Sequence, residues 1–510
     1  MALDLNDIIA WIRAAAQGGI LVSDSRRVKP GDVFFAYPGD AADGRKFIGA
    51  AIAAGAAAVV YDDQDYAWDP AHGVAHRGVP ELKKHAGRIA HAVLGQPDSG
   101  MFTVGVTGTN GKTSIAVWTA QALARLGETA AIVGTLGVGL VKGKAEPSFD
   151  TTGYTTPDAV LLAQTLADLR GQGASALAIE VSSIGLVQER TAGMHFDVAI
   201  FTNLTRDHLD FHGDMESYEA AKVKLFEWPK LGAAIVNLDD PAGQRLVAHL
   251  RRNFAPLPVM GYTLKDETGQ PAIEGVHILR ASQTRSRNAG TEFHLDSPAG
   301  AAVVKTRLVG HFNVSNALAV LGALLARDVP LKHAVDAIEA LQPAPGRMQQ
   351  VGGQDAPMVV IDYAHTPDAL EKTLGALRQV ALDRGGQLWC VFGCGGDRDP
   401  GKRPQMGAIA QAADHVLVTS DNPRSEEPAS IIAQIVAGME PRGDKRDQAV
   451  EDRATAILLA VKNAGKQDVI LLAGKGHEPY QEIKGKKIPF SDADHASLAL
   501  TARLTMMRTH

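Results

Sequence analysis

Short apolar runs bounded by turn residues recur along the chain. They are M-F-T-V-G-V (101–106), A-L-A-I-E-V (176–181), V-A-I-F-T-N (198–203), M-V-V-I-D-Y (358–363), L-W-C-V-F-G (388–393), H-V-L-V-T-S (415–420) and V-I-L-L-A-G (469–474). Each has the length of a buried strand, and amphipathic stretches of helical periodicity lie between them. This alternation predicts an α/β protein, a largely parallel sheet covered by helices, with ligands bound where the strands end. The nearest approach to a long apolar span is F-I-G-A-A-I-A-A-G-A-A-A-V-V-Y (47–61). It is too rich in alanine and glycine to cross a membrane and reads as a helix, a glycine stop and a strand. No membrane span is expected, and the early acids Asp4 and Asp7 are unlike a signal peptide.

Two turn-rich seams, L-G-Q-P-D-S-G (94–100) and Q-P-A-P-G-R (342–347), each precede a new strand. They divide the 510 residues into expected domains 1–98, 99–343 and 344–510, near the usual ~150 residues per domain. With 45% hydrophobic and 21% charged residues the chain can bury ordinary cores. The net charge of −6 argues against a nucleic-acid partner. Cys390 and Cys394 are the two cysteines. They have neither the number for a disulfide framework nor zinc-binding neighbours, so buried reduced thiols are expected.

After F-T-V-G-V comes T-G-T-N-G-K-T-S (107–114). A glycine-rich turn between strand and helix wraps phosphate oxygens with backbone N–H groups. Lys112 adds charge, the Thr113 hydroxyl suits Mg²⁺, and a helix from Thr113 to about Leu126 adds its dipole. Val106 stands where the usual motif has its first glycine. Phosphate loop plus helix makes ATP the expected ligand. Glu180 ends a strand, where a carboxylate can hold Mg²⁺. T-N-L-T-R-D-H-L-D-F-H-G (202–213) gathers Asp207, His208, Asp210 and His212 after another strand, without the further ligands a zinc site needs. In Y-E-A-A-K-V-K-L-F (218–226), spacing alone makes Lys222 and Lys224 exposed helix lysines.

Nine motifs, in order, resemble those of the Mur ligases, which build the peptidoglycan stem peptide: T-G-T-N-G-K-T, E-V-S-S, T-N-L-T-R-D-H-L-D-F-H-G, G-H-F-N-V-S-N, P-G-R-M, D-Y-A-H-T-P-D-A-L, G-C-G-G-D-R-D, D-N-P-R and A-G-K-G-H-E. The likeness spans essentially the whole chain. It implies an α/β fold in three domains, with a central P-loop-type parallel-sheet ATPase domain and a C-terminal Rossmann-like, amino-acid-binding domain. D-N-P-R (421–424) resembles the branch that adds meso-diaminopimelate rather than L-lysine. The implied reaction joins meso-diaminopimelate to UDP-MurNAc-dipeptide. ATP phosphorylates a substrate carboxylate, an amine attacks the acyl phosphate, and phosphate leaves.

The resemblance also implies site residues. Gly108, Thr109, Asn110, Gly111, Lys112, Thr113 and Ser114 would bind ATP, with Asn316 at the adenine and Arg347 and Asp362 reaching the nucleotide from the last domain. One Mg²⁺ would sit on Thr113 and Glu180, and a second near His208 and a carbamylated Lys222. Lys112, Glu180, His208 and Lys222 would be catalytic. The UDP end would use Ser23, Ser25, Asp40, Ala41 and Ala42; the dipeptide end would use Tyr154, Thr155, Thr156, Ser182, Gln188 and Arg190. Tyr154 stands where the family often has Asn, and Ile184 replaces the histidine of S-S-H-G-L. The diaminopimelate site would use Arg398, Asp421, Asn422, Pro423, Arg424, Gly474 and Glu478. A cytoplasmic monomer, with small-molecule substrates and no nucleic-acid partner, is expected.

The last group also makes chemical sense. Strand ends carrying Asp362, Arg398, Asn422 with Arg424, and Gly474 with Glu478 converge on one crevice of a parallel sheet. Arg424 can fork onto the distal carboxylate of diaminopimelate and Glu478 can pair with its ammonium, while Arg398 holds the carboxylate beside the attacking amine. Pro423 biases Asn422 towards extended backbone and so presets Arg424. The alternatives are a lysine-adding ligase of the same type and a ligase like folylpolyglutamate synthase, which should lack D-N-P-R and A-G-K-G-H-E. A GTPase would need N-K-x-D where N-L-T-R stands, and a nicotinamide dehydrogenase needs G-x-G-x-x-G where G-C-G-G-D-R stands.

Overall fold

The computed structural model describes residues 5–508 apart from 17, 40–41, 146, 288–289, 354 and 443–446. Packing divides the chain into two units, residues 1–279 with 319–337, and residues 280–318 with 338–510.

The first unit opens with α1 (Leu5–Ala15), β1 (Leu21–Val22), β2 (Val33–Ala36), α2 (Ile48–Ala53), β3 (Ala58–Asp62), β4 (Ala75–Val79) and α3 (Leu82–Val93). The strands form a parallel sheet in the order β1-β2-β3-β4. The expected helix, stop and strand of residues 47–61 are α2, Gly55 at φ +102° and β3. Ile8, Ile12, Phe35, Val60, Leu82 and Ile89 are buried together on one face.

There follow β5 (Phe102–Thr107), α4 (Lys112–Arg125), β6 (Thr129–Gly134), β7 (Gly137–Lys142), β8 (Ser148–Asp150), α5 (Ala159–Gly171), β9 (Ala176–Glu180), α6 (Ser183–Val187), β10 (Val198–Phe201), α7 (Leu209–His212), α8 (Met215–Val223), β11 (Ala233–Asn237), α9 (Pro241–Asn253) and β12 (Val259–Thr263). β5 lies between β9 and β10, all parallel, with Val106 opposite Glu180 and Thr107 opposite Phe201. Equal strand ends put the phosphate loop, Glu180 and the 202–213 segment on one sheet edge. α4 is buried from Thr113 to Ala124 on every face. Its four alanines let neighbouring elements approach that closely.

The second unit holds an antiparallel meander of β13 (Val276–Arg287), β14 (Gly290–Ser297) and β15 (Gly300–Thr306). α10 (His311–Ala326) starts in this unit, while its later half and most of α11 (Leu331–Glu339) belong to the first. The second unit continues with β16 (Gln349–Gly352), β17 (Met358–Asp362), α12 (Pro367–Arg384), β18 (Leu388–Phe392), α13 (Lys402–Ala410), β19 (His415–Val418), α14 (Pro428–Val436), β20 (Asp447–Ala449), α15 (Arg453–Asn463), β21 (Val469–Ala473), the hairpin β22 (Tyr480–Ile483) and β23 (Lys486–Pro489), and α16 (Asp492–Arg508). The sheet order is β16-β17-β21-β18-β19-β20, parallel except for β16. Each central strand buries both faces: Leu471 and Ala473 of β21 join one core, Ile470 and Leu472 the other. Asp362 and Phe392 both pair with Ala473, and Phe392 with Val418, so four strands end level. Both cysteines are free and buried, as expected. Among the described residues no helix is long and apolar enough to cross a membrane.

Candidate active site

The phosphate loop turns at Gly108, where φ is +142° and a Cβ would lie 1.8 Å from Thr202 Oγ1, so only glycine fits. Thr202 and Asn203 hold the loop from outside. Thr109 N donates to Asn203 O at 2.8 Å and Asn110 N to Asn203 Oδ1 at 2.9 Å. Thr202 Oγ1 donates to Asn110 O at 2.6 Å. The Thr109 and Tyr218 hydroxyls lie 3.1 Å apart. Lys112 Nζ donates to the carbonyls of Gly108 and Thr109 at 2.9 and 2.7 Å. α4 starts at Lys112, so Thr113 and Ser114 lie in its first turn, where backbone N–H groups and the helix dipole favour an anion.

Spacing predicted Lys222 to be exposed, and the structure overturns that: its residue is 1% exposed, whereas Lys224 is exposed. Lys222 turns inward on α8 under the phosphate loop, donating to Gly108 O at 2.9 Å, with its Nζ 4.2 Å from the Tyr218 ring centroid. Burial, and then the charge of Lys112, hold its pKa well below the ordinary lysine value. His208, at φ +51° just before α7, is exposed and lies 3.4 Å from the Asp207 carboxylate.

Glu180 is 2% exposed. Thr135 grips both its oxygens, N to Oε1 at 2.8 Å and Oγ1 to Oε2 at 3.2 Å, and the Thr135 hydroxyl lies 3.1 Å from that of Thr155. Thr156 Oγ1 donates to Glu180 O at 2.9 Å, Ser182 N donates to Thr156 Oγ1 at 3.1 Å, and Arg190 Nη1 donates to Thr156 O at 2.7 Å. Thr155, Thr156, Ser182 and Arg190 therefore form one network with Glu180. Gln188 ends α6, half-buried, and Tyr154 is exposed. In the opening sheet, Ser23 Oγ donates to Asp158 Oδ1 at 2.7 Å, and the same oxygen caps α5. Ser25 starts a short 3₁₀ turn, and Ala42 O accepts from Gly39 N at 2.9 Å. Asp40 and Ala41 lie outside the described residues.

In the second unit, Asn316 is buried on α10. Asp362 is buried at the end of β17, where burial raises its carboxyl pKa even though it accepts Met348 N at 2.8 Å. The Arg347 guanidinium lies 4.4 Å over the Tyr363 ring. Burial, and then Arg347, bring the nearby His477 down to about 4.

Around the ends of β19 and β21 lies a closed polar cluster. Lys475 is fully buried, its Nζ 3.1 Å from Asn422 Oδ1, 3.2 Å from Glu478 Oε2 and 3.7 Å from Asp421 Oδ1. Asn422 Nδ2 donates to Glu478 Oε2 at 2.8 Å, and its Oδ1 also accepts Glu482 N at 2.9 Å. Gly474, at φ +109°, has no room for a Cβ, which would meet Asp421 Oδ2 at 2.4 Å. Arg424, one residue after Pro423, sits at φ +53°, left-handed rather than merely following extended backbone. The β22–β23 hairpin holds it there: Arg424 N donates to Glu482 O at 2.9 Å and Arg424 O accepts Lys484 N at 2.7 Å. Its guanidinium donates to Gly396 O at 2.7 Å and lies 3.4 Å from Glu482 Oε2. Arg398, on the loop after β18, is exposed, with Nη1 on Asp397 O at 3.2 Å. Beneath both loops Arg403 is buried against Glu426, at 2.7 and 2.8 Å, and donates to Gly395 O at 3.2 Å.

Residues 20–91, 106–324 and 346–476 match the Mur ligase family catalytic domain, the Mur ligase middle domain and the Mur ligase glutamate ligase domain. The UDP-N-acetylmuramoyl-L-alanyl-D-glutamate--2,6-diaminopimelate ligase of Janthinobacterium sp. (strain Marseille) is 59% identical over 500 residues, covering 98% of this chain and 97% of that protein. The chain belongs to the Mur ligase family. The enzyme of the same name from Pseudomonas aeruginosa is 47% identical over 94% of this Mur ligase and 95% of its own length. A solved structure of such a ligase superimposes with a TM-score of 0.67 at 36% identity over 95% of each chain. MurF from Acinetobacter baumannii, at 18% identity and a TM-score of 0.63, shares the fold.

Several residues that shape the site of this Mur ligase escaped the motif reading. Thr202 and Asn203 stood in a quoted motif, yet their role needs β10 beside β5. Thr135 carried no signal, since a threonine after a strand is common. Lys475 was visible in A-G-K-G-H-E, but burial of a lysine between two glycines is not legible from spacing.

Proposed function

We propose that this Mur ligase joins meso-diaminopimelate to UDP-MurNAc-L-alanyl-D-glutamate with hydrolysis of ATP, the third-residue step of the peptidoglycan stem peptide. The cluster of Asp421, Asn422, Lys475 and Glu478 beside Arg424 carries the reading. It puts carboxylates for an ammonium next to a guanidinium for a carboxylate, the two groups at the distal end of diaminopimelate. The name of the Janthinobacterium relative, 59% identical over nearly the whole chain, supports it.

In this reading the loop 108–114 and Lys112 bind the ATP phosphates, and Asn316, Arg347 and Asp362 bind the rest of the nucleotide. Thr155, Thr156, Ser182, Gln188 and Arg190 hold the dipeptide, with Tyr154 at the rim. Ser23, Ser25, Asp40, Ala41 and Ala42 take the uridine end. Thr113 and Glu180 would hold one Mg²⁺, and His208 with a carbamylated Lys222 a second. Hydroxyl and carboxylate oxygens suit that hard cation, and burial, which lowers the Lys222 pKa, favours the free amine that carbon dioxide requires. Mg²⁺ when bound neutralises phosphoryl charge.

The residues then divide the work. Lys112 and the loop amides stabilise charge on the transferring phosphoryl group. Arg190 and the threonines orient the accepting carboxylate. Arg398 holds the carboxylate beside the attacking amine, while Arg424 and Glu478 grip the distal end. The reading takes the enzyme to act as a cytoplasmic monomer.

The test is phosphate release from ATP with UDP-MurNAc-dipeptide and either meso-diaminopimelate, L-lysine or no amino acid. Tripeptide formed with meso-diaminopimelate alone supports the reading. A preference for lysine refutes the role of Arg424, and release independent of the UDP substrate refutes the ligase.

A further inference from the structure

Lys475 is given no contact with a substrate in the reading above, yet it is the most deeply buried charge at the amino-acid site. We propose that Lys475 is a positioning residue that fixes Asn422 and Glu478 and sets the charge of the amino-acid site to match a single ammonium. This rests on the assignment of that site to diaminopimelate.

Orientation comes first. Asn422 Oδ1 receives two donors, Lys475 Nζ at 3.1 Å and Glu482 N at 2.9 Å. Its Nδ2 is thereby turned to Glu478 Oε2 at 2.8 Å. Glu478 Oε2 also receives Lys475 at 3.2 Å, so that oxygen is committed to the protein. Among the described residues Glu478 Oε1 receives no donor and is the oxygen left for a ligand ammonium. An amide and a carboxylate that would otherwise have several rotamers are locked by one ammonium.

Charge comes second. Asp421 and Glu478 bring two negative charges and Lys475 one positive, so the cluster carries one net negative charge. A single ligand ammonium neutralises it, and the ligand carboxylate is left for Arg424. Without Lys475, two carboxylates would face one ammonium in a buried site, where an unbalanced charge is costly. Gly474, at positive φ, brings the backbone beside Lys475 close to Asp421, where a Cβ would lie 2.4 Å from its Oδ2.

The test uses the full-length enzyme with Lys475→Met, Glu478→Gln, the double variant, and Arg424→Met as a control for the site. Lys475→Met is expected to raise the KM for meso-diaminopimelate by on the order of 100-fold, with the KM values for ATP and UDP-MurNAc-dipeptide within about twofold. The double variant restores one net negative charge through Asp421, so its KM should fall well below the product of the two single effects. Equal changes in all three KM values, or single effects that simply multiply, overturn the proposal. If Lys475→Met does not fold, the double variant is compared with Glu478→Gln. A KM within about threefold supports the proposal, and one more than about tenfold higher overturns it. An unchanged diaminopimelate KM in Arg424→Met overturns the site assignment, and the proposal with it. An effect there but none in Lys475→Met overturns the proposal alone.

Discussion

Gly134→Ala separates activity from stability. Gly134 ends β6 outside the left-handed region, so alanine suits its backbone. The added Cβ would lie 2.2 Å from Glu180 Oε1 and 2.8 Å from Glu180 Cδ. Ordinary contact needs ~3.4 Å, so the carboxylate must move by about 1 Å. A side-chain end moves more cheaply than the paired strands β6 and β9, so the carboxylate is what yields. It loses its bonds to Thr135, at 2.8 and 3.2 Å, which costs about 1–2 kcal/mol of stability. The functional cost is larger, since a misplacement of about 1 Å in an active site costs on the order of 100-fold in rate. The assay is steady-state phosphate release across a Mg²⁺ titration, beside a thermal melt. A well-folded variant with kcat/KM down by about 100-fold and weaker Mg²⁺ dependence is expected. Unchanged kcat/KM and Mg²⁺ dependence would refute Glu180 as a ligand or Thr135 as its guide.

Arg424→Lys removes the fork and should lower kcat/KM for meso-diaminopimelate by about 100-fold; if L-lysine turnover falls equally, the arginine does not read the distal carboxylate. Arg403→Met takes the buried guanidinium from the partly exposed Glu426 and should cost about 2 kcal/mol in denaturant unfolding, with a raised KM for the amino acid but not for ATP. Asp98→Asn tests the buried contacts of Asp98 with His91 and His195, at 3.2 and 2.9 Å. Burial pushes the Asp98 carboxyl up, but bonds from His195 and His91 outweigh it and hold it well below the usual range, while Asp197 and Asp98 raise His195 to about 10. The Asp98 contribution is present above pH ~4 and lost as pH falls below that. That of His195 is complete below pH ~6.5 and lost as pH rises towards 10. Melting temperature should therefore decline from pH 6.5 to 10, and less steeply in Asp98→Asn; parallel curves would exclude the pairing.

The strands were legible because seven apolar runs of buried-strand length stand between turn residues, and parallel strands buried on both faces leave that pattern. The phosphate loop was legible because its chemistry is local. Lys222 was misread from spacing because its inward direction is set by α8 packing under the loop. Family likeness named it, but only burial under Gly108 explains its state. Thr135 and Arg403 could not be read at all, since each acts on a partner 45 or 23 residues away that only the sheet brings close. Arg424 was expected to be preset by Pro423, yet its left-handed backbone is kept by the β22–β23 hairpin.

That last attachment bears on how amino-acid choice can change between enzymes. The D-N-P-R turn bonds through its backbone to a hairpin about 60 residues later, and Asn422 bonds to the same hairpin. Main-chain bonds ignore side-chain identity, so the outward positions of β22 and β23 are free to drift without loosening the arginine. Transplanting the turn alone into a scaffold without that hairpin would leave its backbone groups without their mates. The inheritable unit of selectivity is the turn with its hairpin, and recombination or engineering must carry both.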